Sequence, residues 1–250
     1  MVNNMIILRS KILLVLIVIL LGVVHSSKPS VSKLSEFSVR SIHEFLEAGG
    51  NCTQVVDYYL ERAYRYNPTL HALISFNSRL KSEAIELDEH RSVHRMMKGR
   101  LHCVPVLVKD NVDVKEMSTT GGIRALRYSI PNKDAFVVKR LRDEGGLIIA
   151  KTNLAELAAG ERLAELDRQD FNEFLNQICI LSLRYDSEMG GICRNPFDLE
   201  KSCGTSSTGT GASVASGMGV IGIGTDTTGS ILFPATFNGI LYGIIISWEN

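Results

Sequence analysis

Short apolar runs that alternate with helical patterns are the feature that most limits how this chain of 250 residues can fold. The clearest runs are Val104–Val108, Leu147–Ala150 and Val220–Ile223, and each is bounded by polar or glycine-rich sequence. Uninterrupted runs of this length are typical of strands that are buried on both faces of a sheet. Their alternation with helices predicts an α/β or mixed-sheet layered domain.

Capping residues and apolar positions at spacings of three and four mark the helices. One helix is predicted to begin at Thr53, as its N-cap, and to stop at Asn67-Pro68, because proline breaks the helical hydrogen-bond pattern. Asp134 is expected to cap another helix that runs to Glu144. The other predicted elements are a strand at Leu73–Phe76 and helices at Ser38–Ala48, Arg79–Glu89 and Ala212–Gly217.

The N-terminus has the pattern of a cleaved secretory signal. Arg9 and Lys11 precede the apolar run Ile12–Val24, which is shorter than the roughly 20 residues that span a bilayer. We therefore expect residues 1–26 to be a signal peptide, residues 27–250 to be secreted, and no stable membrane span to form. An uncleaved signal anchor in the membrane is the alternative.

The charge and the cysteines of the chain say little about its binding partners and its disulfides. Lys+Arg and Asp+Glu both number 27, so no excess of positive charge points to a nucleic-acid partner. Five cysteines, at positions 52, 103, 179, 193 and 203, lack metal-finger spacing. Disulfides are possible in a secreted chain, but the sequence leaves their pairing and the oligomeric state open.

Two hydroxyl-rich segments are the strongest candidates for chemistry. Gly204–Gly211 consists only of Gly, Ser and Thr, and Gly224–Ile231 directly follows a predicted strand. Such segments bring backbone N–H groups and hydroxyls close to a ligand, and loops held by strands often carry catalytic groups. Because Gly204–Gly211 offers almost no apolar area to pack, we expect it to form a loop.

Other interpretations of these segments fail on their context. No lysine follows either segment, which excludes a Walker A loop. Gly217–Gly222 matches the GxGxxG pattern of dinucleotide-binding loops, but it follows a predicted helix and leads into a predicted strand, which is the reverse of the dinucleotide-binding order. Ser206 lacks the second glycine of a nucleophile elbow.

All six histidines lie within the first 102 residues, so a Ser–His–acid triad is hard to assemble. A metal pair at His90 and His94 is less favoured than a solvated helix face.

Lys109 is the candidate base for serine chemistry without histidine. It directly follows the apolar run Val104–Val108, so the predicted strand carries its amine to the end of a buried element. A lysine can serve as a base when its amine is neutral, and burial lowers the pKa of an amine from about 10.4 by several units. A lysine that only marks the exposed end of a strand is the alternative.

Three segments in this order resemble the amidase-signature family. Leu101–Asn111 resembles its lysine motif, Asn195–Asp198 with Gly204–Gly217 resembles the stretch of its middle serine, and Gly224–Ile231 with Pro234-Ala235 resembles its nucleophile motif. The resemblance covers roughly residues 35–160 and 189–240. It implies a mixed, mostly parallel central sheet with helices on both faces.

The resemblance also implies a Ser-Ser-Lys triad that cleaves small carboxamides or fatty-acid amides without a cofactor or a metal. Ser230 would attack the carbonyl carbon. Ser206, which follows a cis peptide bond in the family, would pass the proton of Ser230 to neutral Lys109. The oxyanion hole would be formed by the backbone N–H groups of Thr227, Thr228, Gly229 and Ser230.

Some positions depart from the family pattern. Thr228 stands where many members have Gly, and Leu232 where many have Arg. The stretch between Lys109 and Ser206 is longer than usual, and the excess coincides with an atypical, charged and Leu-rich insertion at about 161–187. The resemblance fades after Gly239, which is expected of a chain that lacks the family's C-terminal half. Two alternatives follow: an inactive homologue that acts as a binding module, and an amidotransferase subunit that acts on aminoacyl-tRNA.

Overall fold

The computed structural model describes residues 31–158 and 186–243. The expected signal peptide and nearly all of the atypical insertion lie outside these residues. The described strands are β1 Leu73–Phe76, β2 Pro105–Lys109, β3 Leu147–Thr152 and β4 Ile221–Ile223. The described α-helices are α1 Val39–Glu47, α2 Cys52–Leu70, α3 Leu80–His94, α4 Phe136–Asp143, α5 Thr208–Ala215 and α6 Leu232–Phe237, and short 3-10 turns lie at Val31–Glu36, Arg124–Leu126 and Glu156–Ala158.

The four strands form one sheet in the order β1-β3-β2-β4. β2 pairs in parallel with both β3 and β4, whereas β1 runs antiparallel to β3 at the edge. The predicted mixed, mostly parallel sheet is therefore confirmed. Lys109 pairs with Thr152 and Val108 with Ile223, so the carboxyl ends of the three parallel strands meet at one edge, where α/β sheets bind ligands.

The sheet separates two hydrophobic cores, because successive side chains of a strand point to opposite faces. On β2, Leu107 belongs to the larger core, which contains buried residues of α1, α2 and α3. Val106 and Val108 belong to the smaller core with Val138 of α4. Helices thus cover both faces, as expected. No helix within residues 31–158 and 186–243 combines the length and the apolar character that a membrane crossing requires.

The ends of α2 differ from those predicted. The N-cap is Asn51, whose side chain accepts a hydrogen bond from the backbone N–H of Gln54, and the Gln54 side chain reciprocates. The Thr53 hydroxyl donates instead to Asp88. The helix continues through Pro68 and ends only at Leu70. The lost proline hydrogen bond falls in the last turn, where His71 donates its N–H to the Asn67 carbonyl, so the break comes later than predicted.

The segment Gly204–Gly211 was expected to be a loop throughout, but α5 begins at Thr208, so only residues 204–207 lie outside the helix. Small residues here permit close packing of the helix. A Cβ atom on Gly209 would lie 2.2 Å from the Ala72 carbonyl oxygen. The predicted helix Ala212–Gly217 therefore starts earlier and contains part of the hydroxyl-rich segment.

Asp134 does not cap a helix. It accepts a hydrogen bond from the Lys115 backbone N–H, and α4 begins after Ala135. Its carboxylate is already bound to the neighbouring loop, so the N-terminus of α4 has no side-chain cap.

Candidate active site

Lys109 is the last residue of β2 and is fully buried. Its Nζ atom lies 2.8 Å from the Ser206 hydroxyl oxygen and 2.9 Å from the Thr225 hydroxyl oxygen. The Thr225 carbonyl oxygen is 3.4 Å away. These partners come from the segment that leads into α5 and the segment that follows β4, and all three are uncharged.

The surroundings of Lys109 favour its neutral form. Burial lowers the pKa of Lys109 from 10.5 to about 7, and the charge of Asp226 opposes this shift. Since burial penalises only the ammonium form, the amine is substantially unprotonated near neutral pH. The alternative of a lysine at an exposed strand end is therefore wrong.

Ser206 is buried beside Lys109. The peptide bond between Thr205 and Ser206 is cis, in agreement with what the resemblance implied. The Ser206 carbonyl oxygen accepts a hydrogen bond of 3.1 Å from the Ala155 N–H. Gly204 has a φ of +81°, and a Cβ atom there would lie 2.6 Å from the Pro234 nitrogen. The turn into Ser206 thus requires glycine both for its backbone angle and for space.

Ser230 lies on the loop between β4 and α6 and is half-buried. Its carbonyl oxygen accepts a hydrogen bond of 3.3 Å from the Ser207 N–H. The Ser230 hydroxyl forms no hydrogen bond with any residue that the structure describes. Lys109 and Ser206 are therefore in direct contact, whereas Ser230 is connected to Ser206 through the backbone of Ser207.

Asp226 organises the loop that carries Ser230. Its carboxylate accepts hydrogen bonds of 2.7 Å from the N–H groups of both Gly229 and Ile231. Burial raises the pKa of Asp226, but hydrogen bonds from the loop backbone, including the Ser230 N–H, outweigh it, so that the pKa lies below its ordinary value. The N–H groups of Gly229 and Ser230 thus face Asp226 in this structure.

The remaining expected oxyanion residues are open to solvent. Thr227 and Thr228 are exposed, and their N–H groups have no hydrogen-bond acceptor among residues 31–158 and 186–243. Thr228 does not adopt a positive φ, so threonine is tolerated where many relatives have glycine.

Thr225 and Asn111 were not singled out by the sequence reasoning. The Thr225 hydroxyl oxygen accepts a hydrogen bond of 3.0 Å from the Asn111 side-chain amide and contacts Lys109. A signal for Thr225 exists in the sequence. It follows a strand that is parallel to β2, so its side chain is delivered to the same sheet edge as Lys109.

A second buried lysine lies on the neighbouring strand. Lys151 of β3 is fully buried, and its Nζ atom lies 3.1 Å from an oxygen of Asp110, which is also fully buried. It also donates to the Ser118 carbonyl at 3.1 Å and to the Thr119 hydroxyl at 3.2 Å. Asp110 accepts a hydrogen bond from the Thr120 hydroxyl. This network holds the chain that leaves β2 directly after Lys109.

Cys52, His102 and Cys103 form a cluster with metal-ligand chemistry away from these residues. Cys52 and Cys103 are joined as a disulfide, so their sulfurs are not free thiolates. The Lys98 N–H points to the Nδ1 atom of His102 at 3.2 Å. When Nδ1 accepts this bond, the proton of the neutral ring lies on Nε2, which faces the sulfur of Cys52 at 3.8 Å and in this tautomer has no lone pair to offer to a metal.

A cavity of about 770 Å³ lies next to the candidate site. Thr225 and Asp226 contribute to its wall on the side of the site. The rest of the wall is largely apolar and includes Val112, Phe136, Val214, Ile221, Ile231 and Tyr242.

Known proteins are similar to this chain in sequence and in fold. The sequence model of a family described as Amidase matches residues 54–244. A glutamyl-tRNA(Gln) amidotransferase subunit of Symbiobacterium thermophilum is 34% identical over 198 residues, which cover 79% of this chain and 36% of that protein.

Solved structures agree with this similarity. A peptide amidase from Stenotrophomonas maltophilia is 34% identical and has a TM-score of 0.68, over 80% of this chain and 38% of that chain. A fatty acid amide hydrolase that is 23% identical, with a TM-score of 0.68 over 82% of this chain and 33% of that chain, shares the fold. The chain therefore spans 33–38% of the length of these relatives.

Proposed function

This chain belongs to the amidase family, and from that premise we propose that it hydrolyses carboxamide or fatty-acid amide bonds through Ser230, Ser206 and Lys109. The observation that carries the proposal is the contact of 2.8 Å between the buried Lys109 amine and the Ser206 hydroxyl. A buried amine with uncharged partners can be neutral near pH 7, as a base must be.

Hydrogen bonds with Thr225 set the orientation of the lone pair on the Lys109 amine. A neutral amine has two N–H bonds and one lone pair, and Thr225 offers Lys109 two acceptors, its hydroxyl and carbonyl oxygens. When both N–H bonds point to Thr225, the lone pair faces the Ser206 hydroxyl. Ser206 then gives its proton to Lys109 and accepts the proton of Ser230. Thr225 is thus a positioning residue.

Proton transfer lets the Ser230 oxygen attack the amide carbonyl. The carbon–oxygen bond forms, and the negative charge develops on the carbonyl oxygen. The N–H groups of Thr227 and Thr228 are the candidate donors for it, because those of Gly229 and Ser230 face Asp226. A donor aimed at such a developing charge stabilises it by about 2.7–4 kcal/mol.

The proton on Lys109 then returns through Ser206 to the nitrogen of the substrate. The carbon–nitrogen bond breaks, the amine leaves, and an ester between the acyl group and Ser230 remains. Water attacks this ester by the same proton path, which releases the acid and restores the Ser230 hydroxyl.

The cavity beside the site supports an apolar group in the substrate, because its wall is mostly aliphatic and aromatic. The names of relatives support amide chemistry, since they include a peptide amidase and an amidotransferase component. A role in amidation of aminoacyl-tRNA is less favoured here because the chain has no excess of positive charge that would favour binding of tRNA.

A second candidate function is that of an inactive binding module. It is favoured by the Ser230 hydroxyl, which forms no hydrogen bond with the described residues, and by the Gly229 N–H, which is bound to Asp226. Both features describe a loop that is not set for reaction.

A fluorophosphonate probe separates the two candidates, because it reacts with an activated serine. We expect labelling of Ser230 that Ser230→Ala abolishes and that Lys109→Ala slows by about 10²–10⁴-fold, the usual contribution of a positioned base. Ser213→Ala is the control, since it also removes a serine hydroxyl, but one that is buried and donates only to the Thr210 carbonyl within α5. A folded chain that the probe does not label would favour the binding module.

A further inference from the structure

The thiols of Cys193 and Cys203 are in contact, and Cys203 lies three residues before Ser206 in the chain. The sulfurs of Cys193 and Cys203 are 3.4 Å apart, and the two residues are 10 positions apart in the chain. Both are buried, with 6% and 1% of their surface exposed. This pair is separate from the disulfide that joins Cys52 and Cys103.

Hydrogen bonds that do not involve the sulfurs hold the two cysteines in place. The Asn195 side-chain amide donates to the Ser202 carbonyl at 3.1 Å and to the Phe237 carbonyl at 2.8 Å. The Asn238 side-chain amide donates to the Cys203 carbonyl at 2.9 Å. These bonds close the base of the loop between the cysteines, so the thiols are brought together by the fold itself.

We propose that Cys193 and Cys203 are a second disulfide site, which is oxidised by a small-molecule disulfide such as glutathione disulfide. A bonded pair of sulfurs is about 2.05 Å apart, so the sulfurs must approach by little more than an ångström from their separation of 3.4 Å.

The reaction is an exchange in two steps. One thiolate attacks a sulfur of glutathione disulfide, forms a mixed disulfide and releases one glutathione thiolate. The second thiolate attacks the protein sulfur of the mixed disulfide, forms the Cys193–Cys203 bond and releases the second glutathione. Two thiol protons pass to the released thiolates, and two electrons pass from the protein sulfurs to the oxidant.

Burial decides when this exchange takes place. The hydrogen bond with Cys193, followed by burial, raises the pKa of Cys203 far above its ordinary value. In the folded chain Cys203 therefore offers little thiolate, and the burial of both sulfurs limits the access of an oxidant or a reductant. We expect the bond to form mainly while the chain folds and to be protected from reduction afterwards. It would then tether the segment that enters Ser206, since Cys203 directly precedes Gly204.

Peptide mapping tests the proposal on the unchanged chain. The protein is refolded in a buffer of reduced and oxidised glutathione, free thiols are alkylated, and the chain is cut with trypsin. Mass spectrometry should find the peptide that ends at Arg194 linked to the peptide that begins at Ser202, together with the bridge between Cys52 and Cys103. Recovery of Cys193 and Cys203 as alkylated thiols, or a bridge from either one to Cys179, would overturn the proposal.

Thermal unfolding supplies a second test. Closure of a loop of this length is expected to raise Tm by roughly 5–10 °C in a chain of this size. The difference in Tm between the wild-type chain and Cys203→Ala should be larger by that amount in oxidised than in reduced protein. The bridge between Cys52 and Cys103 is common to both chains, so its effect cancels. An equal difference in the two states would contradict the second bridge.

Discussion

Lys109 and Lys151 lie fully buried on neighbouring strands of the same sheet, yet they meet opposite surroundings. The Lys109 amine contacts two hydroxyls and a carbonyl oxygen. The Lys151 amine lies 3.1 Å from the buried carboxylate of Asp110. Burial lowers the pKa of both amines, but at Lys151 the charge of Asp110 opposes this shift directly.

This difference in surroundings is the basis for proposing a structural role for Lys151 and a chemical role for Lys109. A carboxylate beside a buried amine favours the charged form and so opposes the effect of burial on the pKa of the amine. An amine that faces only hydroxyls and carbonyls can lose its proton near neutral pH. The pair of Lys151 and Asp110 lies where the chain leaves β2, whereas Lys109 has the proposed role of a base.

The largest expected effect is a difference in the free energy of unfolding when each of the two lysines is replaced. Lys151→Met leaves the Asp110 carboxylate buried without its partner, which should lower the free energy of unfolding by about 3–5 kcal/mol. Lys109→Met is the matched control and should cost far less, since its partners are uncharged. Urea denaturation measures both. Equal losses would mean that the two lysines do not differ in the way described.

The next effect concerns the pH dependence of fluorophosphonate labelling. Because only the neutral amine is a base and burial places the pKa of Lys109 at about 7, the labelling rate should rise with pH up to about that value and level off above it. Below pH 7 the rate should fall about tenfold for each pH unit, as the neutral fraction does. In Lys109→Ala this profile should disappear. A wild-type rate that still climbs steeply above pH 9 would contradict the assignment.

The smallest effect tests the orientation of the amine. Thr225→Val keeps the shape of the side chain but removes the hydroxyl acceptor, and it should slow labelling about tenfold or less, in line with the loss of one hydrogen bond. Thr225→Ser restores the hydroxyl and should recover most of the rate. If the valine and serine variants label equally well, Thr225 has no positioning role.

Much of this site could be predicted from sequence because its chemistry follows elements with strong patterns. The apolar run before Lys109 specified a buried strand, and the parallel strands placed the ends of β2 and β4 at one edge. The contact between Lys109 and Ser206 follows from that topology together with the resemblance to the amidase-signature family.

The features that sequence reasoning missed depend on tertiary contacts. The contact of Thr225 with Lys109 is made only in the folded chain. The start of α5 at Thr208 is accompanied by a close approach of Gly209 to the backbone of Ala72. The continuation of α2 through Pro68 depends on how the helix end is bonded. The pairing of Cys52 with Cys103 joins residues that are 51 positions apart, which spacing alone cannot reveal.

Direct titration of the Lys109 amine is the most decisive test of whether this buried amine is neutral near pH 7. Lysine labelled with ¹⁵N at Nζ, or with ¹³C at Cε, can be followed by NMR against pH, and the Lys109 signal is assigned by its absence in Lys109→Met. We expect a pKa of about 7 for Lys109. A pKa near the ordinary value of about 10.4 would mean that the buried amine stays charged at neutral pH and cannot accept the proton of Ser206.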